Sequence, residues 1–231
     1  MRLLRIVACV AVGALGLWLG REYLSRRLIG KSVSDRLRSI GRAKPWIADV
    51  ARQAGGRLKI IVLKKEQVVE VHAPGWTKPR RYEMTGFSGK LGPKRQEGDG
   101  QIPEGVYGIA YLNPNSLFHL SLKVSYPNEF DKSRAAEEGR GDLGGDIMIH
   151  GGCATVGCIP IGDDAIEELF FLVASVGREN VEVVIAPYDM RKGRIKELEE
   201  SPVKWYSALC DDIAKALSDE KENGNGRETG H

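Results

Sequence analysis

Leu58-Lys-Ile-Ile-Val-Leu-Lys64 and Val68-Val-Glu-Val-His-Ala73 decide the fold class. Both runs are short and rich in β-branched residues, and only Lys65, Glu66 and Gln67 part them, so the pair predicts a β-hairpin. Working outward, similar runs predict strands at 81–87, 105–112, 117–125, 146–150 and 181–186. Within Phe118-His-Leu-Ser-Leu-Lys-Val124, Phe118, Leu120, Leu122 and Val124 share one face while His119, Ser121 and Lys123 share the other, the pattern of a half-buried strand. Helical spacing is confined to the flanks and one internal segment. Residues 32–53 read as a helix broken near Pro45 and ended by Gly55-Gly56. Asp164 and Glu167 suggest a capping box, after which Ile166, Leu169, Phe170 and Val173 form an apolar stripe ended by Gly177. Ser201-Pro202 opens a last helix, with Trp205, Leu209, Ile213 and Leu217 as its stripe and Cys210 as a small hydrophobe beside it. The expected class is mainly β with flanking helices, α+β.

Composition narrows the function. The 231 residues carry 34 Lys and Arg against 31 Asp and Glu, a net charge of +3, with the two signs interspersed. No basic face is interleaved with aromatics, so nucleic acid is not an expected partner. The 28 glycines and 10 prolines follow no period, which argues for many turns rather than a bundle, coiled coil or repeat array. Ile6 to Gly20 is free of charge, with Arg2 and Arg5 before it and Arg21 after it, the layout of a signal peptide or signal anchor. No small-x-small site follows, which favours an uncleaved anchor. With Leu3 and Leu4 included, its helix would be about 27 Å long, just enough to span. Cationic residues flank both sides, so charge alone does not fix its orientation. Cys9 has too little apolar sequence before it for lipid attachment and reads as a buried thiol.

The reactive side chains concentrate in Gly145-Asp-Ile-Met-Ile-His150-Gly-Gly-Cys153-Ala-Thr-Val-Gly157-Cys158-Ile-Pro160, a strand entering a glycine-rich loop. A free thiol is mostly protonated at neutral pH, so a nucleophilic Cys158 needs a neighbour such as His150 to hold it as thiolate. Gly157 has no Cβ, so the N–H groups of Gly157 and Cys158 are candidates for an oxyanion hole. The helix start near Asp163 would add a favourable dipole. Two other readings stay open. His150 and Cys158 are simply packed, or His150, Cys153 and Cys158 form an H-x2-C-x4-C zinc site with Cys210 as fourth ligand. Cys153 is also placed to form an oxidative bridge with Cys158.

The segment from Ile147 to Cys158 resembles the signature of the YkuD-type L,D-transpeptidases, more closely their YafK-like branch. Gly98-Asp-Gly-Gln-Ile-Pro-Glu-Gly-Val-Tyr107 is similar to the family's "GD..TPEG.Y" segment, and Ser125-Tyr-Pro-Asn-Glu-Phe-Asp-Lys132 to its "SYPN..D" segment. The resemblance implies a compact β-rich YkuD-like catalytic domain, an exported enzyme and peptidoglycan stem peptides as substrate. It makes Cys158 the nucleophile and His150 the general base and acid, with the Gly151 carbonyl orienting the imidazole. It also makes Tyr107, Tyr126, Asn128 and Arg134 candidates for holding substrate, while His72 and His119 read as solvated. No metal or cofactor is required. Where the broader family has Ser-His-Gly-Cys followed by Arg, this chain has Thr155-Val-Gly-Cys158 and then Ile159-Pro160. A second histidine and a substrate-facing arginine are therefore missing, and a hydrolase or amidase that trims stem peptides or releases murein-linked lipoprotein is the alternative. A non-catalytic wall-binding or zinc-stabilised module is the second. The expected organisation is a signal anchor or signal peptide at 1–27, a membrane-proximal helix and linker at 28–56, the catalytic domain at 57–190, a helical extension at 191–217 and a disordered tail at 218–231. The expected location is the periplasmic side of the inner membrane, anchored there or secreted to the periplasm and wall.

Overall fold

A computed structural model describes residues 30–196 and 201–219. The expected signal anchor, Cys9 and the tail beyond Asp219 lie outside the described residues. Among the described residues no helix is long and apolar enough to cross a membrane.

The chain enters through α1 (Val33–Ala43) and, after a turn at Pro45, α2 (Ile47–Gln53), the break expected from the sequence. Ser32 caps α1: its Oγ accepts from the Asp35 N–H at 3.1 Å, and Asp35 Oδ2 accepts from the Ser32 N–H at 3.1 Å. The hairpin follows as β1 (Leu58–Leu63) and β2 (Val68–His72), then β3 (Arg80–Glu83), β4 (Gly105–Tyr107), β5 (Ile109–Asn113) and β6 (Ser121–Val124). Next come α3 (Glu129–Glu137), β7 (Met148–His150), β8 (Ile159–Pro160), α4 (Asp163–Val176), β9 (Val181–Ala186) and α5 (Tyr206–Ser218). The strands form two mixed sheets, ordered β3-β2-β1-β9-β4 and β5-β6-β7-β8, in an α+β arrangement.

The parallel pair β1 and β9 explains why Leu58–Leu63 lacks strict alternation. One face, with Ile60, Val62, Val183 and Ile185, joins a core shared with the second sheet and α4. The other, with Ile61, Leu63, Val184 and Ala186, packs on Tyr206, Leu209, Cys210, Ile213 and Leu217 of α5. A strand covered on both sides reads as a continuous apolar run. The segment expected as a helical extension therefore completes a second core. Its helix starts after Trp205, later than Ser201-Pro202 suggested, and Tyr206 joins the stripe.

Other expectations are corrected. The strand expected at 105–112 is two strands in different sheets, parted at Gly108, whose N–H donates to Ser125 Oγ at 2.8 Å. Regular pairing in 117–125 is confined to Ser121–Val124, and His119 sits at φ +70° before it. Helix α4 is capped by Gly162 with no side-chain bond, so Asp164 is not its cap. Its acidic residues make tertiary links instead: Lys44 Nζ lies 3.1 Å from both Asp164 Oδ1 and Glu167 Oε2. Two elements were not expected, β8 and α3; the latter had a signal in Asn128 and Asp131, which form a capping box.

A buried ion pair ties the fold together. Lys64 and Glu104 have fully buried side chains, 2.7 Å apart. The ammonium also donates to the carbonyls of Gly92 at 2.8 Å and Ile102 at 2.9 Å, which satisfies its three N–H groups. Glu104 Oε1 accepts from the Gly92 N–H at 2.8 Å, and Oε2 from the Tyr206 hydroxyl at 2.6 Å. Burial pushes the Lys64 pKa down, and the Glu104 charge opposes that. Glu104→Gln leaves the ammonium buried without its counter-charge, so an unfolding free-energy loss of about 3–5 kcal/mol is expected in denaturant titration. Lys64→Met in the same protein should recover part of it; a Glu104→Gln protein as stable as wild type refutes this reading.

Candidate active site

Two parallel neighbours, β7 and β8, position the candidate pair. Ile149 lies opposite Ile159, and His150 opposite Pro160. Opposed residues point to the same face and successive residues alternate, so Ile149 and Ile159 face the apolar core. Carried one residue beyond the start of β8, to the bend at Cys158, the same alternation puts Cys158 level with Met148 and on the face of Met148 and His150. Strand β6 extends the pattern, with Lys123 opposite Met148 and Ser121 opposite His150. One face thus carries Lys123, Met148 and Cys158 in one row, and Ser121, His150 and Pro160 in the next.

His150 is buried and oriented. Its Nδ1 lies 2.6 Å from the Gly151 carbonyl, which can only accept. Nδ1 therefore carries the proton, leaving the Nε2 lone pair as the basic site of the neutral ring. The Phe118 ring packs on the imidazole at 4.7 Å between centroids and 35° between planes. Burial pushes the His150 pKa below its ordinary 6.5, with the Gly151 carbonyl opposing.

Cys158 is half-buried, and its S–H donates to the Asp146 carbonyl at 3.2 Å. Burial raises its pKa above 9.0, and the Met148 backbone bond and the Lys123 and Lys94 charges only partly oppose it. Burial thus shifts both groups toward their neutral forms. The expectation that His150 holds Cys158 as a thiolate meets a different arrangement: among the described residues no hydrogen bond joins Sγ to the His150 ring, and Sγ is bonded to the Asp146 carbonyl instead. The start of that helix is engaged locally, Asp163 Oδ1 accepting from the Gly152 N–H at 2.8 Å.

The loop backbone adopts a form the sequence did not foretell. Gly157 has φ +83°, and a Cβ there would stand 3.1 Å from the Gln101 carbonyl oxygen, so glycine is required. Its N–H, however, donates to Ser88 Oγ at 2.7 Å, and Ser88 Oγ donates to the Gly100 carbonyl at 2.9 Å. The Cys158 N–H donates to Thr155 Oγ1 at 3.0 Å, and that hydroxyl donates to the Cys158 carbonyl at 2.8 Å. Both expected oxyanion donors are therefore bonded to hydroxyls, which an incoming oxyanion would have to displace. Thr155, three residues before Cys158, was legible as a side-chain-to-backbone turn; Ser88, from a distant loop, was not.

Of the expected substrate-holding residues, Tyr107, Tyr126 and Asn128 have their polar groups engaged within the fold, while the buried Arg134 Nε has no partner among the described residues. Tyr107 and Tyr126 are buried and meet edge to face, 6.1 Å between centroids. Their hydroxyls donate to the Glu104 carbonyl at 3.0 Å and the Leu143 carbonyl at 3.1 Å. Asn128 caps α3 and donates to the Val106 carbonyl at 3.0 Å. Arg134 pairs with Glu137 at 2.7 Å and lies over the Phe130 ring. His119 and His72, expected to be solvated, bond Glu167 Oε1 at 2.8 Å and Glu70 Oε2 at 3.1 Å. Cys153 is exposed, and among the described residues no disulfide joins Cys153, Cys158 or Cys210. Cys210 lies in the α5 core rather than at the loop, which removes the fourth ligand of the zinc reading. Among the described residues no three His, Cys, Asp or Glu side chains converge as metal ligands.

Comparison with known proteins gives the geometry its context. The YafK protein of Escherichia coli (strain K12), itself named only provisionally as an L,D-transpeptidase, is 28% identical over 160 residues. The match covers 66% of this chain and 63% of the length of that relative. Among solved structures, the helical cell shape determining protein Pgp2 of Campylobacter jejuni is 22% identical, with 62% of this chain and 56% of that one covered and a TM-score of 0.43. Bd1075 of Bdellovibrio bacteriovorus is 20% identical, with coverages of 73% and 57% and a TM-score of 0.42. The profile of the YkuD family, described as the L,D-transpeptidase catalytic domain, matches residues 57–185. That stretch is over half of the chain and runs from the start of the hairpin almost to the end of β9, so the chain belongs to the YkuD L,D-transpeptidase catalytic-domain family.

Proposed function

We propose that the chain is an exported cysteine L,D-transpeptidase acting on peptidoglycan stem peptides through a thioester at Cys158. The observation that carries this reading is the shared sheet face of His150 and Cys158, with the imidazole tautomer set by the Gly151 carbonyl. In the proposed reaction Sγ turns from the Asp146 carbonyl and gives its proton to His150 Nε2 as it attacks the peptide carbonyl between a diamino acid and a terminal D-alanine. The C–N bond then breaks, and the imidazolium returns the proton to the leaving amine. The Cys158 N–H exchanges its Thr155 partner for the developing oxyanion. An amine from a second stem peptide, or water, completes the cycle with His150 as base. The anchored or secreted periplasmic location belongs to the same proposal.

Incubation with purified muropeptides tests it. Loss of one D-alanine from a tetrapeptide stem, with a transient protein adduct of the matching acyl mass, is the expected result. A cross-linked dimer marks an amine acceptor and a tripeptide marks water. No change in any stem peptide, with the protein folded, overturns the proposal.

A further inference from the structure

The row that holds the thiol also holds an ammonium. Lys123 and Cys158 stand on either side of Met148, and Asp146 connects them: Lys123 Nζ is 3.3 Å from Asp146 Oδ1, while Cys158 Sγ is 3.2 Å from the Asp146 carbonyl. The Lys123 side chain is only 12% exposed, whereas that of Asp146 is 95% exposed. A pair with one partner so solvated is weak and readily exchanged, and it uses one of three N–H donors. Lys94, the other lysine whose charge acts on Cys158, is committed elsewhere, to the Gln96 carbonyl at 2.8 Å and Asp99 Oδ1 at 2.6 Å.

We propose that Lys123 receives the terminal carboxylate of the leaving D-amino acid, an assignment that rests on the reaction proposed above. That carboxylate lies one carbon from the nitrogen that departs, so a peptide whose carbonyl sits on Cys158 presents it within a few ångströms of the sulfur. Strands lie about 4.8 Å apart, and a lysine stem is long enough to reach back over Met148. Recognition of this group selects a stem ending in a free D-amino acid. It disfavours an amide formed with a lysine side chain, whose leaving nitrogen has no adjacent carboxylate.

Binding separates this assignment from catalysis. Cys158→Ala protein is titrated calorimetrically with a stem tetrapeptide and with its C-terminal carboxamide. The acid should bind about ten-fold to a hundred-fold more tightly, the usual worth of a hydrogen bond to a charged group. Lys123→Met, which keeps the apolar stem, should erase that difference, and Lys123→Arg should restore most of it, with melting curves confirming that both are folded. An equal loss for acid and carboxamide in Lys123→Met overturns the assignment. So does a Lys123 effect that vanishes only when the carboxylate on the diamino acid side chain is amidated. Turnover by the unaltered enzyme is read in parallel. Turnover without coupling removes Lys123 alone, coupling without turnover removes the reaction alone, and no binding by either peptide removes both.

Discussion

Cys158→Ala protein should show no turnover of a stem tetrapeptide and no acyl adduct by intact mass. No other described thiol shares a sheet face with the base: Cys210 is fully buried in the α5 core, and Cys153 is exposed on the loop. A nucleophile cannot be replaced in part, so the loss should reach the detection limit, unlike the graded loss from a positioning residue. Cys210→Ala is the matched control. It leaves a small void beside Tyr206 and Leu209 and should lower stability by about 1 kcal/mol while leaving turnover near wild type. Cys153→Ala should change neither. Turnover retained in Cys158→Ala, or lost equally in Cys210→Ala, would remove Cys158 from the mechanism.

Much of this was readable before any coordinates, for identifiable reasons. The hairpin and Val181–Ala186 were legible because β-branched runs bounded by charge have few alternatives. His150 and Cys158 were legible because a strand end and a glycine-rich loop frame the only dense cluster of reactive side chains. The register that sets them on one face was not, because β8 is two residues long and carries a proline. The upstream motifs were legible as motifs but not in their roles. Asp99 gathers loop N–H groups of Arg95, Gln96 and Gln101, Glu104 pairs with Lys64, and Asn128 and Asp131 cap α3. In the fold these motif residues bond one another and the backbone around the site. The partners of the two expected oxyanion donors were not legible, because they are hydroxyls, one of them on a loop 69 residues away in sequence. The direction of the Cys158 pKa shift was not legible either, because the degree of burial that decides its sign depends on tertiary packing.

His150→Ala should lower kcat/KM by roughly 10²–10⁴-fold, the usual contribution of a positioned acid–base group. Direction and pH dependence follow from the same geometry. The base works in its neutral form, and burial holds its pKa below 6.5. Wild-type activity should therefore persist as pH falls to that value and decline only below it. Burial also keeps the thiol protonated past 9.0, so one proton stays available to the leaving amine until the pH passes that point. The profile of kcat/KM should be a wide plateau bounded by these two limbs. A thiolate–imidazolium pair behaves otherwise, because its sulfur is alkylated rapidly even near pH 6. Iodoacetamide labelling of Cys158 measured against pH decides between the two: a rate rising through an apparent pKa above 9.0 fits the neutral pair, and fast labelling near pH 6 refutes it. In His150→Ala the acid limb should disappear along with most of the rate, while the protein stays folded, its melting temperature lowered only by the lost packing on Phe118 and the lost bond to Gly151. A variant that melts early yet keeps the acid limb would make His150 a packing residue, and the proton would have to leave the thiol by another route.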